Sequence, residues 1–304
     1  MRNLELVDAV IALTKDDYFT VSGTGPTWAC HFDPFPKKYK NLFVESQQAA
    51  EEIYSRRQGE VYILYSGGID SEFCLSVFLS LGIKVIPVII KLNPNYNNHD
   101  IKYAFKFCES KNITPLVIDI DFDKFVNSGQ IVDYAKKYRS EKYHMSATMY
   151  SVGQLDGTII LGSSEPYVGK NQDTNKWHFE YCEYEWSISR FFEQNNIYGT
   201  PNFNSWTSGM NASYLTDPMI FDLVNNNVYG KLGSHSSKHA IYNRHGNLNL
   251  AVRPKLHGYE IVEQSKIFEH EAFKEIKEFG KECNGVYQMD YFEFMKSLGW
   301  KKNV

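Results

Sequence analysis

One short turn constrains this chain more than any other feature: Ser66-Gly67-Gly68-Ile69-Asp70-Ser71. Before it, Val61-Tyr62-Ile63-Leu64-Tyr65 is a short, unbroken apolar run, the form of a strand buried on both faces. After it, Cys74, Val77, Phe78 and Leu81 recur at i, i+3, i+4 and i+7, a helical stripe that Gly82 can stop. A turn that opens a helix presents free backbone N–H groups and the positive end of the helix dipole, so it attracts anions. Paired glycines let the backbone approach a phosphate with no side chain in the way. The Ser66 and Ser71 hydroxyls add donors. Asp70 conflicts with an anion unless a cation arrives too; magnesium, which prefers oxygen ligands, resolves the conflict and makes Asp70 the expected metal contact. The competing reading is a plain glycine turn in which Asp70 and Ser71 only cap the helix.

Strand and helix patterns continue to alternate as far as Gly162. Val85–Ile90, Leu116-Val117-Ile118 and Thr158-Ile159-Ile160-Leu161 are strand candidates, although Pro87 cannot donate to a ladder. Ile101, Ala104, Phe105 and Cys108 repeat the helical stripe. Such alternation predicts an α/β fold with right-handed crossovers and a mainly parallel sheet covered on both faces, a three-layer sandwich. Residues 1–58 form a small amino-terminal extension, with a strand at Tyr18–Val21 and a helix near Ser46–Arg57. Residues 59–165 form the core. Residues 166–304, rich in Asn, Gly, His and aromatics, form a covering region with helices near Glu183–Asn195, around Phe268–Phe279 and after Asp290.

The turn is neither a Walker loop nor a dinucleotide fingerprint. Ser-Gly-Gly-x-Asp-Ser after an apolar strand resembles the signature of the PP-loop (N-type) ATP pyrophosphatases, a group that includes asparagine synthetase, GMP synthetase and tRNA-thiolating enzymes. The resemblance covers residues 60–165. It implies a Rossmann-like, adenine nucleotide alpha-hydrolase-like fold, ATP and Mg2+ as cofactors, and cleavage of ATP between its α and β phosphates through an adenylated intermediate. It also implies that Ser66, Gly67, Gly68, Asp70 and Ser71 hold pyrophosphate, and that backbone near Ile90, Lys91 and Leu92 contacts adenine. Glu165, in the loop Leu161–Tyr167 after the fourth strand, resembles a substrate- or magnesium-facing acid; the alternative is a solvated turn residue before Pro166. The nearest likeness is an asparagine synthetase core without its glutaminase: a ligase that adenylates a carboxylate or carbonyl oxygen for attack by a nitrogen nucleophile. A sulfur-handling enzyme, a nucleic-acid-modifying enzyme and a non-catalytic nucleotide-binding module are the rivals.

Between Asp222 and Glu260 no acidic residue occurs, while Lys231, Lys238, Arg244, Arg253 and Lys255 do, in a chain of net charge -4. An acid-free run of that length reads either as a solvated basic loop or as a surface facing an anion. In the second case Lys238, Arg253 and Lys255 stabilise the departing pyrophosphate, with Lys170 as a further candidate. Interleaved tyrosines keep nucleic acid open as a partner, with a small molecule favoured. Five cysteines, odd in number and never in a Cys-x-x-Cys pair, argue against a disulfide framework or a zinc ribbon. Glu282-Cys283-Asn284-Gly285 only partly matches a sulfonucleotide reductase tail. No apolar stretch nears the roughly 18 residues that span a bilayer, and the first residues lack a signal-peptide core, so a cytoplasmic protein is expected.

Overall fold

The computed structural model describes residues 19–22, 29–32, 38–140, 142–163, 167–171, 173–182, 186–226, 229–254, 256–280 and 286–298. Glu165, Lys255 and Cys283 lie outside them. In chain order the elements are β1 (Phe19–Ser22), β2 (Ala29–Phe32), α1 (Leu42–Ser55), β3 (Val61–Leu64), α2 (Ile69–Ser80), β4 (Ile86–Asn93), α3 (Asn98–Ser110) and β5 (Leu116–Asp121). Then come α4 (Phe122–Asn127), α5 (Gln130–Tyr138), α6 (Tyr143–Val152), β6 (Thr158–Leu161), β7 (Tyr167–Lys170), β8 (Trp177–Cys182), α7 (Trp186–Gln194) and β9 (Gly199–Thr200). The remainder is α8 (Ser208–Leu215), α9 (Pro218–Asn225), α10 (Tyr229–Gly246), α11 (Glu260–Gln264), α12 (Glu271–Gly280), β10 (Val286–Asp290) and α13 (Tyr291–Ser297), with two 3-10 turns at Phe203–Ser205 and Lys266–Glu269.

Five strands form an all-parallel sheet in the order β5-β4-β3-β6-β9. Successive strand residues alternate between two apolar clusters, as a pleat dictates. Ile63, Tyr65, Ile89 and Ile160 pack with α1, α2 and α3; Leu64, Val88, Ile159 and Leu161 pack with Tyr138, Met149 and Phe191 on the other face. Both faces are therefore covered, as expected, and the fold is Rossmann-like. The chain enters at β3, winds outward through β4 and β5, then returns to place β6 on the opposite side. The order reverses between β3 and β6, where open α/β sheets leave a crevice at the carboxyl ends of their strands.

Pro87 lies in a strand, as expected: it pairs only with Ile63 of β3, because β5 joins β4 from Val88 onward, so the missing N–H faces no second neighbour. Other expectations are corrected. The strand runs on to Asn93 rather than ending at Ile90. α2 is not one-sided, since Ile69, Phe73, Cys74, Leu75, Val77 and Phe78 are all buried. α1 covers it on one side and α10 on another. Phe105 turns away from the stripe of its helix and is partly exposed. Beyond Gly162, β7, β8 and β10 form an antiparallel sheet that the sequence reading missed. The acid-free run is no loop in its first half, which is helix α10. Among the described residues no helix is long and apolar enough to cross a membrane.

Candidate functional site

The loop stands where the sheet order reverses. Gly67 has φ +89°, which L side chains rarely adopt, and a Cβ there would lie 2.9 Å from the Ala104 amide nitrogen. Gly68 is the N-cap of α2 and offers no side chain to cap it. The first-turn amides of α2 thus face out from a dipole end with no intrahelical acceptor. The Ser66 and Ser71 hydroxyls lie 3.2 Å apart, and Ser71 also donates to the Gly68 carbonyl at 3.0 Å. β6 closes in from the side. A Cβ on Gly162 would fall 2.7 Å from Cys74 Cβ and 2.8 Å from the Asp70 carbonyl, so only glycine lets β6 exit this near the helix.

Two cavities meet at this loop. The smaller, of 140 Å³, is bordered by Gly67, Gly68, Asp70, Lys238 and Arg253. The larger, of 240 Å³, has Leu64, Val88, Ile90 and Leu161 as apolar walls, and Ser66 and Ser71 open onto it. Asp100, in the first turn of α3, borders both. Burial pushes its carboxyl up to about 6, helped by Glu260 and opposed by His99, Arg253 and His257. Opposite stands His144 of α6, which burial, with Lys142 and His257, lowers to about 4, leaving a neutral imidazole at physiological pH.

α10 and the segment after it tie the carboxy-terminal region to the loop. Lys238 Nζ donates to Asp70 Oδ2 at 3.1 Å and the Tyr242 hydroxyl donates to Asp70 Oδ1 at 2.8 Å. Arg253 donates to the Gly67 carbonyl and pairs with Glu72, whose carboxylate also accepts from the Tyr65 hydroxyl at 2.6 Å. Glu72 and Arg253 are 4% and 13% exposed, so this is a buried pair beneath the loop. Burial and the neighbouring Glu72 push the Tyr65 phenol up. Glu260 pins the next stretch, accepting from the His257 amide at 2.7 Å and bonding His99 Nε2 at 2.7 Å. Burial opposes its ionisation, but those bonds outweigh it and hold its carboxyl at about 2.

Of the expected site residues, Ser66, Gly67, Gly68, Asp70, Ser71, Lys238 and Arg253 come together here. Ile90 lines the larger cavity, but its carbonyl accepts from Asn97 Nδ2 and the Leu92 amide donates to Asn97 Oδ1. Lys91 pairs with Asp119, and Leu92 is core. Lys170 lies over the Trp177 ring and borders neither cavity. The reading of the sequence missed Glu72, Asp100, His144 and Tyr242. Only Glu72 had a local signal, as an acid in the first turn of α2. Among the described residues, no group of three or more His, Cys, Asp or Glu converges on a metal position. One carboxylate with substrate phosphates is the donor set magnesium commonly takes, and Asp70 fits it in number, with Lys238 and Tyr242 now on its two oxygens.

No family model matches the chain. Over 102 residues it is 28% identical to tRNA-specific 2-thiouridylase MnmA of Helicobacter hepaticus, an alignment covering 34% of this chain and 26% of that protein. The chain therefore spans about a quarter of that relative's length. The likeness and the parallel sheet together support the PP-loop superfamily as the wider group, without favouring an asparagine synthetase-like branch.

Proposed function

We propose that this chain binds ATP across the two cavities and uses it to adenylate an acceptor, releasing pyrophosphate. The observation that carries this reading is the pair of adjoining spaces. One has apolar walls, the other is lined by Lys238, Arg253 and a helix start beside Asp70 and Asp100, and a single loop borders both. Each is smaller than the roughly 300–1,000 Å³ of typical ligand pockets. A ligand filling both has a flat apolar part and an anionic part, which describes a nucleotide. Gly67, Gly68 and the first-turn amides of α2 hold the β and γ phosphates, with Lys238 moving from Asp70 to them. Magnesium, if bound, sits on Asp70 and those phosphates and neutralises charge there.

An acceptor oxygen attacks the α-phosphorus and the bond to the bridging oxygen breaks, so pyrophosphate leaves with that electron pair. A nitrogen nucleophile then displaces AMP from the activated carbon. Positioning and charge stabilisation supply the catalysis, with no protein nucleophile. Cys74 and Cys108 agree with this: both are buried, and burial pushes both thiols up, away from the reactive thiolate. A second reading, adenylation of a nucleic-acid base, is favoured by the likeness to a tRNA-specific enzyme.

The test is product analysis with ATP and magnesium over a panel of carboxylates, amines and transfer RNA. AMP and pyrophosphate are expected, in equal amounts and dependent on one acceptor. ADP and phosphate as products would overturn the reading. Binding without turnover on every acceptor would favour a nucleotide-sensing module.

A further inference from the structure

The peptide that joins Gly67 to Gly68 has no side chain on either flank, so local sterics do little to fix which way it faces. In a planar trans peptide the carbonyl and the following N–H point in opposite directions. Here the Gly67 carbonyl accepts from Arg253, and the Gly68 amide, on the far side, donates to Ser66 Oγ at 3.2 Å. Ser66 therefore accepts at its oxygen and keeps its proton for donation. Arg253 has two further neighbours. It pairs with Glu72 of α2, and its guanidinium lies 5.4 Å from the centre of the Tyr103 ring of α3. Glu72 is anchored in turn by the Tyr65 hydroxyl at 2.6 Å, and the Tyr65 amide donates to the Val88 carbonyl of β4 at 2.8 Å. A continuous line of contacts thus runs from the sheet, through Glu72 and Arg253, to one peptide of the loop.

We propose that Arg253 and Glu72 are positioning residues, a neutral pair that holds the Gly67–Gly68 peptide with its N–H toward Ser66, rather than ligands of the phosphates; the inference rests on the nucleotide reading above. The two cations that border the smaller cavity differ in what leaving their partners would cost. Asp70, which holds Lys238, is 28% exposed, whereas Glu72, which holds Arg253, is 4% exposed. A guanidinium that swung to a phosphate would leave a buried carboxylate without its countercharge. The pair carries no net charge, so what it gives an anion is the orientation of the loop's donors. With that peptide turned over, the Gly67 carbonyl would face Ser66 and take its proton. An anion would then meet an oxygen where it now meets a donor.

The experiment measures equilibrium binding of inorganic tripolyphosphate and of ATP to the full chain, with the glycine amides followed by NMR. Glu72→Gln removes a negative charge beside an anion site, which by charge alone would tighten binding. It is expected instead to weaken tripolyphosphate binding by roughly tenfold and to move the Gly68 amide signal. Arg253→Lys keeps the positive charge but loses the rigid fork that spans two acceptors, and should weaken binding by a similar factor. Glycine signals far from the loop that stay in place show each variant to be folded; if one variant unfolds, the other decides. Unchanged or tighter binding in a folded Glu72→Gln protein, a Gly68 signal that does not move, or wild-type affinity in Arg253→Lys overturns the positioning role alone. A wild type that binds neither tripolyphosphate nor ATP overturns the nucleotide reading itself, and the inference with it.

Discussion

Asp100 is a carboxyl group standing where two cavities adjoin, and its ionisation has consequences for folding as well as for ligands. Its folded value, about 6, lies above the 3.8 of a free aspartate, with burial as the main cause. Between those two values the folded chain keeps a proton that the unfolded chain has lost. Stability from this group is therefore present at low pH and declines as pH rises through that window. Glu260, Arg253, His99 and His257 face it, so the wild type alone does not isolate it. Comparison with Asp100→Asn does: urea unfolding from pH 4 to 7 should show a wild-type curve that falls relative to the variant's, flattening above pH 6. Parallel curves would mean that the carboxyl is solvated. His144 acts in the opposite sense. Held neutral by burial, it costs stability as pH falls from 6.5 towards 4, because the unfolded chain takes up the proton first.

Helix α10 is the element that brings the carboxy-terminal region to the Ser66–Ser71 loop. Tyr242 stacks on Phe73 of α2, with centroids 4.2 Å apart and planes 10° from parallel, and its hydroxyl reaches Asp70. Arg244, near the end of α10, donates twice to Asp217, at 2.9 and 3.0 Å, while Asp217 also caps α9 through the Met219 amide. The carboxy-terminal end of α10 is thus fixed twice, by an aromatic stack over the loop and by a two-pronged ion pair. Tyr242→Phe keeps the stack and removes only the hydroxyl, and should cost about 1 kcal/mol. Tyr242→Ala loses the stack as well and should cost about 3–5 kcal/mol, by analogy with other large aromatic deletions. Urea denaturation of the two variants separates the contributions. A similar cost for both would show that the hydroxyl, not the ring, anchors α10.

On the scale of the whole molecule, the largest apolar cluster joins Ile53 of α1, Ile63 and Phe73 of the core, Phe203, Tyr242 and Tyr291. Residues 59–165 supply the loop and four of the five parallel strands, whereas β9 and the layers covering α2 come from either side of that span. Expressed alone, 59–165 should expose the apolar faces of α2, bind a hydrophobic dye and melt without a cooperative transition, while the full chain melts cooperatively. A cooperative melt of the fragment would make the core an autonomous unit.

The sheet and the loop were legible because their signals are local. Val61–Tyr65 and Thr158–Leu161 are apolar runs of strand length, and a double glycine between strand and helix has few other uses. The antiparallel strand Trp177–Cys182 alternates apolar and polar residues at its start and was legible too, had that period been read. β9 was not, since two residues carry no pattern and are held only by their pairing with β6. Sequence alone was enough for the parallel α/β frame and the glycine turn between strand and helix, because periodicity and backbone freedom are properties of neighbouring residues. Tertiary structure alone decided that Asp100, His144 and Tyr242 surround that turn. Their positions depend on how separate helices pack around the sheet, and a buried charge acquires its partner only when that packing is complete.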